Sequence, residues 1–152
     1  NESNNKIIKN MKKKYFIKNS LLNNKYKKNL TKNLLVRYNP YSLEEHSPKG
    51  LKNLSYVYGK GKRVGFCLRE KKTGGNNLHK ISTIMFVNLH ELTHIASTKN
   101  DPGHKIDFWK NFKIILQEAK EIGVYKPINY KKTPVNYCGM NIFYNPYFNK
   151  KL

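Results

Sequence analysis

The sequence predicts an α+β fold, a small sheet followed by two helices and an extended tail. Three observations carry this. Short runs of β-prone residues bounded by turn residues lie between residues 34 and 69. Strongly periodic apolar segments occupy about 78–97 and about 102–122. The stretch from Val124 to Leu152 holds Tyr, Asn and Pro with only short apolar runs. At 152 residues the chain has the length of one domain and can bury a core without disulfide support.

Residues 1–33 contain ten Lys and one Glu, and Ile8, Met11, Tyr15, Leu22, Tyr26 and Leu30 recur near helical spacing. They read as a basic N-terminal arm or helix set before a main domain at 34–152. Leu34–Tyr38 reads as a strand, and Asn39-Pro40 and Ser47-Pro48-Lys49-Gly50 punctuate a loop. Leu54–Tyr58 and Arg63–Arg69 read as strands joined by a hairpin turn at Gly59-Lys60-Gly61-Lys62. Asn77 is placed to cap the helix that follows. That helix is apolar nearly all round, with Ile81, Met85, Leu92, Ile95 and Ala96 on one face, which predicts a central, buried element. Asp101-Pro102 opens the second helix as an N-cap and first-turn Pro, Phe108, Phe112, Ile115, Ala119 and Ile122 form its stripe, and Gly123 ends it.

Thirty Lys and Arg against nine Asp and Glu give a formal net charge of +21. That points to a polyanion partner, DNA or an anionic membrane surface. Only Arg37, Arg63 and Arg69 are arginines, so attraction to phosphates or headgroups fits better than base readout. No apolar run reaches the roughly 18 residues of a membrane span, and no cleavable leader is visible, although the chain begins at Asn1 rather than Met. Cys67 and Cys138 form no CxxC pair; two buried free thiols are the default, and one long-range disulfide is the alternative.

The chemistry concentrates in His90-Glu91-Leu92-Thr93-His94. Histidines at i and i+4 stand one turn apart on one helix face, so both imidazoles reach one metal ion. Glu91, beside the first ligand, can hold a water and take its proton. A catalytic zinc takes three protein ligands and keeps a position open. His104 is the natural third, since Gly103 lets the chain turn back and His104 opens the next helix. His46 lies in a Glu-rich loop and reads as solvated. His79 lies almost three turns before His90 and reads as no ligand. Asp101 and Asp107 could hydrogen-bond a ligating imidazole, and Tyr125, Tyr130 and Tyr137 could donate to an oxyanion, although core packing is the default for the tyrosines.

The segment HELTHIA, a short loop and then GHKIDFWKNF resembles the WLM and SprT-like zinc metalloproteases, whose motif is HExxH, a third His and a following Phe-Trp helix. The similarity extends to WLM-like metalloproteases of large DNA viruses, where segments similar to FVNLHELTHIAS, GHKIDFWKNFKIILQEA and PVNYCGM recur. It spans roughly residues 34–142, and VGFCLRE falls where the family has an edge strand. The resemblance implies a compact zincin-like domain with the active-site helix at about 78–97 and the third ligand on the helix at about 102–122. It implies Zn2+ on His90, His94 and His104, with Glu91 as general base. Lys105 stands where the family often has Asp after the third His. The expected function is a metallopeptidase that hydrolyses peptide bonds with zinc-activated water, on DNA-associated proteins as in cellular relatives. The alternative is a weakly active or inactive zincin-fold component of a virion or nucleoprotein assembly. Expected partners are a protein substrate, a polyanion and the virion, and the expected setting is virion or host cytoplasm.

Overall fold

Helix α3 (Ile81–Ala96) is the element around which the others pack, as its all-round apolar character predicts. The structure, a computed structural model, describes residues 1–16, 24–45, 55–70, 77–98 and 104–152. Leu89, Leu92, Ile95 and Ala96 on α3 are fully buried, while Ile81, expected on the same face, is 76% exposed at the first turn. The helix starts three residues later than its periodicity suggests. Asn77 does not cap it: the Asn77 carbonyl accepts from Glu70 N at 2.8 Å, and Leu78 bridges to Arg69 in extended pairing.

Helix α4 (Ile106–Glu121) packs against α3 through Phe108, Phe112, Ile115, Leu116 and Ala119, all fully buried. It begins at Ile106 behind Lys105, later than the expected start at 102, and the Asp101-Pro102 cap lies outside the described residues. Gly123, at φ +74°, closes it as expected, with Gly123 N bonded to Lys120 O and Val124 N to Ala119 O, each at 3.0 Å.

The N-terminal segment is part of this core. Helix α1 (Glu2–Phe16) buries Ile7, Ile8, Met11 and Tyr15 and turns its lysines outward. Its buried Tyr15 donates to Glu118 Oε1 at 2.6 Å, and Lys14 spans Glu118 at 3.0 Å and Glu121 at 2.6 Å, which fastens α1 to α4. Asn4 and Asn88 exchange side-chain amide bonds, which fastens it to α3. Helix α2 (Lys25–Arg37), capped by Asn24 on Lys27 N at 3.1 Å, runs across the expected boundary at 33/34. The strand expected at Leu34–Tyr38 is therefore the last turn of α2 and its cap. Five apolar residues carry no decisive period, and burying Leu30, Thr31 and Leu34 as one stripe against α3 settles the conformation. The Arg37 guanidinium then donates to Ile95 O at 3.1 Å and Ser97 O at 2.6 Å, closing the C-terminal end of α3.

Three short strands complete the body: β1 (Leu43–Glu45), β2 (Ser55–Tyr58) and β3 (Arg63–Phe66), in the order β1-β3-β2, with β1 parallel and β2 antiparallel to β3. β1 falls in a stretch read as loop. The segment VGFCLRE, expected at an edge, supplies the central strand, and β1 and β2 are the edges. The β2–β3 turn takes positive φ at Gly59, Lys60 and Gly61. Gly61 is required there, because a Cβ would lie 2.7 Å from the Arg37 carbonyl oxygen.

The tail is extended and draped on the domain as expected. β4 (Val135–Tyr137) and β5 (Met140–Ile142) form a hairpin through Cys138 and Gly139, both at positive φ. Cys138 at this turn and Cys67 just after β3 are joined as a disulfide, with Cα atoms 6.4 Å apart. Of the two readings left open by the sequence, the long-range disulfide is the one found; packing of the hairpin turn on the end of β3 brings together residues 71 apart in sequence. No helix among the described residues is long and apolar enough to cross a membrane.

Candidate metal centre

His90 and His94 are brought onto one face of α3 by the helical repeat, and their Nε2 atoms lie 3.2 Å apart. His104, two residues before α4, turns back so that its Nε2 lies 3.0 Å from that of His90 and 3.1 Å from that of His94. The ring centroids are 4.7–5.1 Å apart, farther than the nitrogens, so the rings fan outward from a common centre. Each Nε2 offers one in-plane lone pair or hydrogen, so three neutral rings cannot satisfy all three contacts as hydrogen bonds. A cation at the centre would accept all three lone pairs. Nitrogens around a tetrahedral zinc at about 2.0–2.1 Å lie roughly 3.3 Å apart, so the residues present fit that ion.

Phe108 is the floor of the centre. It is fully buried, with its ring 4.9, 4.4 and 4.6 Å from those of His90, His94 and His104. Trp109 stacks beside His104 at 5.6 Å. The Phe-Trp pair that opens α4 thus packs the ligand rings from one side. Burial first, then repulsion from the other two rings, lowers His90 to about 3; burial, His104 and Lys60 lower His94 to about 4. Both are held in the neutral form that ligates metal.

Glu91 is 3% exposed and faces the same cavity. Burial raises it to about 7, against the opposing effect of a hydrogen bond from Ser55 Oγ to its Oε1 at 2.5 Å. The cavity, of about 570 Å³, is an open trough between β2 and α3. Ser55, Tyr56 and Val57 of the edge strand form one side, and His90, Glu91 and His94 the other. The Lys60 ammonium closes one end, donating to His94 O at 3.4 Å and Thr98 O at 3.0 Å. Tyr56 lies across Gly65 of β3, where any Cβ would strike its ring, and donates to Glu44, which also holds Arg63.

All four residues expected at the site are therefore brought together. His79 is elsewhere, buried against the disulfide with Nε2 3.2 Å from both Cys138 N and Cys138 Sγ. His46 and Asp101 lie outside the described residues. Asp107 is exposed in the first turn of α4. Tyr125, Tyr130 and Tyr137 are core side chains, their phenols raised well above the ordinary value by burial. Tyr137 Oη accepts from Cys67 N at 3.0 Å. Ser55, Lys60 and Met140 were not singled out from the sequence. Nothing local marks them, since Ser55 is 36 residues from the carboxylate it holds.

No family model matches the chain, and no solved structure matches it. The chain is similar to two uncharacterized viral proteins. One, from Acanthamoeba polyphaga mimivirus, is 34% identical over 134 residues, covering 81% of this chain and 64% of the relative. The other, from Invertebrate iridescent virus 6, is 32% identical over 77 residues, covering 51% of this chain and 41% of the relative. The chain thus spans less than two thirds of the length of either.

Proposed function

We propose that this chain is a zinc-dependent peptidase of the WLM and SprT-like kind, with a zincin-like domain built on α3 and α4. The observation that carries the reading is the convergence of three imidazole Nε2 atoms within 3.0–3.2 Å beside a buried carboxylate, at the foot of an edge strand. Zinc, when bound, supplies a Lewis acid for the scissile carbonyl and lowers the pKa of a water to about 7. β2 aligns an extended peptide along the trough by main-chain pairing. Ser55 fixes one oxygen of Glu91, leaving the other to accept the proton of the attacking water. Glu91 then returns that proton to the departing amine.

The basic surface supports a polyanion partner. Lys9, Lys12 and Lys13 of α1 and Lys25, Lys28 and Lys32 of α2 are exposed. The viral relatives support a setting in a virion or an infected cell. Purified protein is expected to carry about one zinc per chain, lost in His90→Ala. Glu91→Gln is expected to keep the zinc and lower cleavage of an unfolded protein substrate by about 10²–10⁴-fold. Cleavage by Glu91→Gln at the wild-type rate would reject the mechanism. Zinc-loaded wild type that cleaves nothing would favour the role of an inactive assembly component.

A further inference from the structure

Cys67 and Cys138 meet a third side chain that a disulfide does not need. His79, no ligand of the three-histidine centre, is buried against them, with its Nε2 3.2 Å from Cys138 Sγ. The two sulfurs and a ring nitrogen of His79 all lie within 4.8 Å of one another. Three separate parts of the fold supply them: the residue after β3, the segment before α3 and the turn of the β4–β5 hairpin. Cys138 N donates to the same Nε2 at 3.2 Å, so that nitrogen carries a lone pair and not a hydrogen. Burial also favours the neutral ring, against the opposing charge of Glu70. Tyr137 braces the group. Its ring packs 4.9 Å from that of His79, and its Oη accepts from Cys67 N at 3.0 Å.

A fourth donor faces the same point. The Arg69 carbonyl oxygen lies 3.4 Å from Cys67 Sγ and 3.2 Å from Cys138 Sγ. A disulfide has no hydrogen to offer this acceptor, whereas two thiols have. The surroundings therefore suit the reduced pair as well as the oxidised one. Disulfides persist in oxidising compartments and are kept open in reducing ones. Soft thiolates combined with an imidazole are the donor set of structural zinc. Zn2+ on two thiolates is net neutral, which spares the site the cost of a buried charge. We infer that the reduced chain binds a second zinc ion through Cys67 Sγ, Cys138 Sγ and His79 Nε2, with the Arg69 carbonyl oxygen as the fourth donor. The ion takes over from the disulfide as the tie between the end of β3 and the hairpin, and it adds the start of α3. The exchange balances. A thiol reductant is oxidised to its own disulfide, its two electrons and two protons turn the cysteine pair into thiols, and zinc binding releases those protons to solvent. The site is independent of the peptidase reading.

Co2+, used in place of zinc, tells the two centres apart. A thiolate-to-cobalt charge-transfer band in the near ultraviolet arises only where sulfur ligates, and the three-histidine centre has no sulfur. The full chain is titrated with Co2+ without air, once under a phosphine reductant and once oxidised. The reduced chain is expected to take up about one more ion than the oxidised chain and to show the band. Added Zn2+ is expected to bleach the band with the release of about two protons per ion. His90→Ala, which takes a ligand from the first centre, is expected to leave the band intact. His79→Ala is expected to weaken the sulfur-bound ion by more than the roughly 100-fold that loss of an outer-shell partner costs. Where His79→Ala does not fold, the comparison of reduced with oxidised wild type still decides. Equal metal content in the two states, or a reduced chain without the band, overturns the inference. So does a band of the same strength and affinity in folded His79→Ala, which would mean thiols capturing cobalt without the imidazole. Loss of the band in His90→Ala would mean one shared ion and overturns it too. A band in protein that cleaves nothing defeats the peptidase reading alone.

Discussion

The two walls of the cleft are built in different ways. On the helical wall, His90, Glu91, His94 and His104 come from one continuous stretch of chain, placed by a helical repeat and one connection. On the opposite wall, Ser55 and Lys60 come from far upstream and Met140 from far downstream, and a few long-range ties hold them. Among them are the Ser55–Glu91 bond, the contacts of Lys60 with the end of α3, and the Cys67–Cys138 disulfide. The first wall rests on Phe108 and Phe112 in the middle of the core. The second is an edge strand of four residues and a hairpin with three-residue strands. The groups proposed for the chemistry thus rest on the deepest-packed part of the molecule. The groups proposed to position the substrate sit where packing is thinnest.

The disulfide offers the largest test of that contrast. It closes a long loop, with a sequence separation of 71, and replacing both cysteines by serine is expected to cost about 4 kcal/mol in urea unfolding. If the walls are independent, the surviving folded protein keeps its zinc and cleaves its substrate more slowly. Loss of zinc as well would show that the helical wall leans on the hairpin.

A smaller effect concerns the carboxylate buried in the helical wall. Glu91 is raised to about 7 in the folded chain from an ordinary value of 4.5. Between those values the folded state binds more protons than the unfolded state. The stability that this contributes is present below about 4.5 and is lost as pH rises through about 7. Metal-free Glu91→Gln is therefore expected to be more stable than metal-free wild type at pH 8, by on the order of 2 kcal/mol, with the gain gone near pH 4. Thermal melts of the chelated proteins at the two pH values check this. An equal difference at both would assign the gain to packing instead of charge.

The smallest effect sharpens the contrast from the strand side. Ser55→Ala removes one hydrogen bond to the carboxylate and is expected to lower kcat about 10-fold with zinc content unchanged. Ser55→Thr, which keeps the hydroxyl, is expected to recover most of it. A rise in KM alone would place Ser55 in substrate alignment.

Much of the helical wall was legible because its information is local. The spacing of His90 and His94 and the stripe of Phe108, Phe112, Ile115 and Ala119 are periodic signals that the helix itself generates. Gly123 and the Gly59–Lys62 turn were equally readable, since backbone at positive φ narrows the choice of residue. Other elements were not legible. α1 read only as part of a basic arm or helix because five lysines mask four buried apolar positions, and Ile7 and Met11 find their partners only in the assembled core. Leu34–Tyr38 resembled a strand until the stripe beginning at Leu30 was packed on α3. β1 has three residues, and its pairing with β3 crosses a loop that no local pattern announces.

By itself the sequence determined that this chain holds a helix with two histidines and a glutamate fit for a metal, a second apolar helix behind it, and a strongly basic surface. Those properties follow from helical geometry and from charge, which need no distant partner. Only the tertiary structure decided that β2 and not β3 is the edge beside the site, that Ser55 holds Glu91, and that the two cysteines meet. Each of these depends on which surfaces are buried against which, a choice made by the free energy of the whole core, where residues far apart in sequence are neighbours.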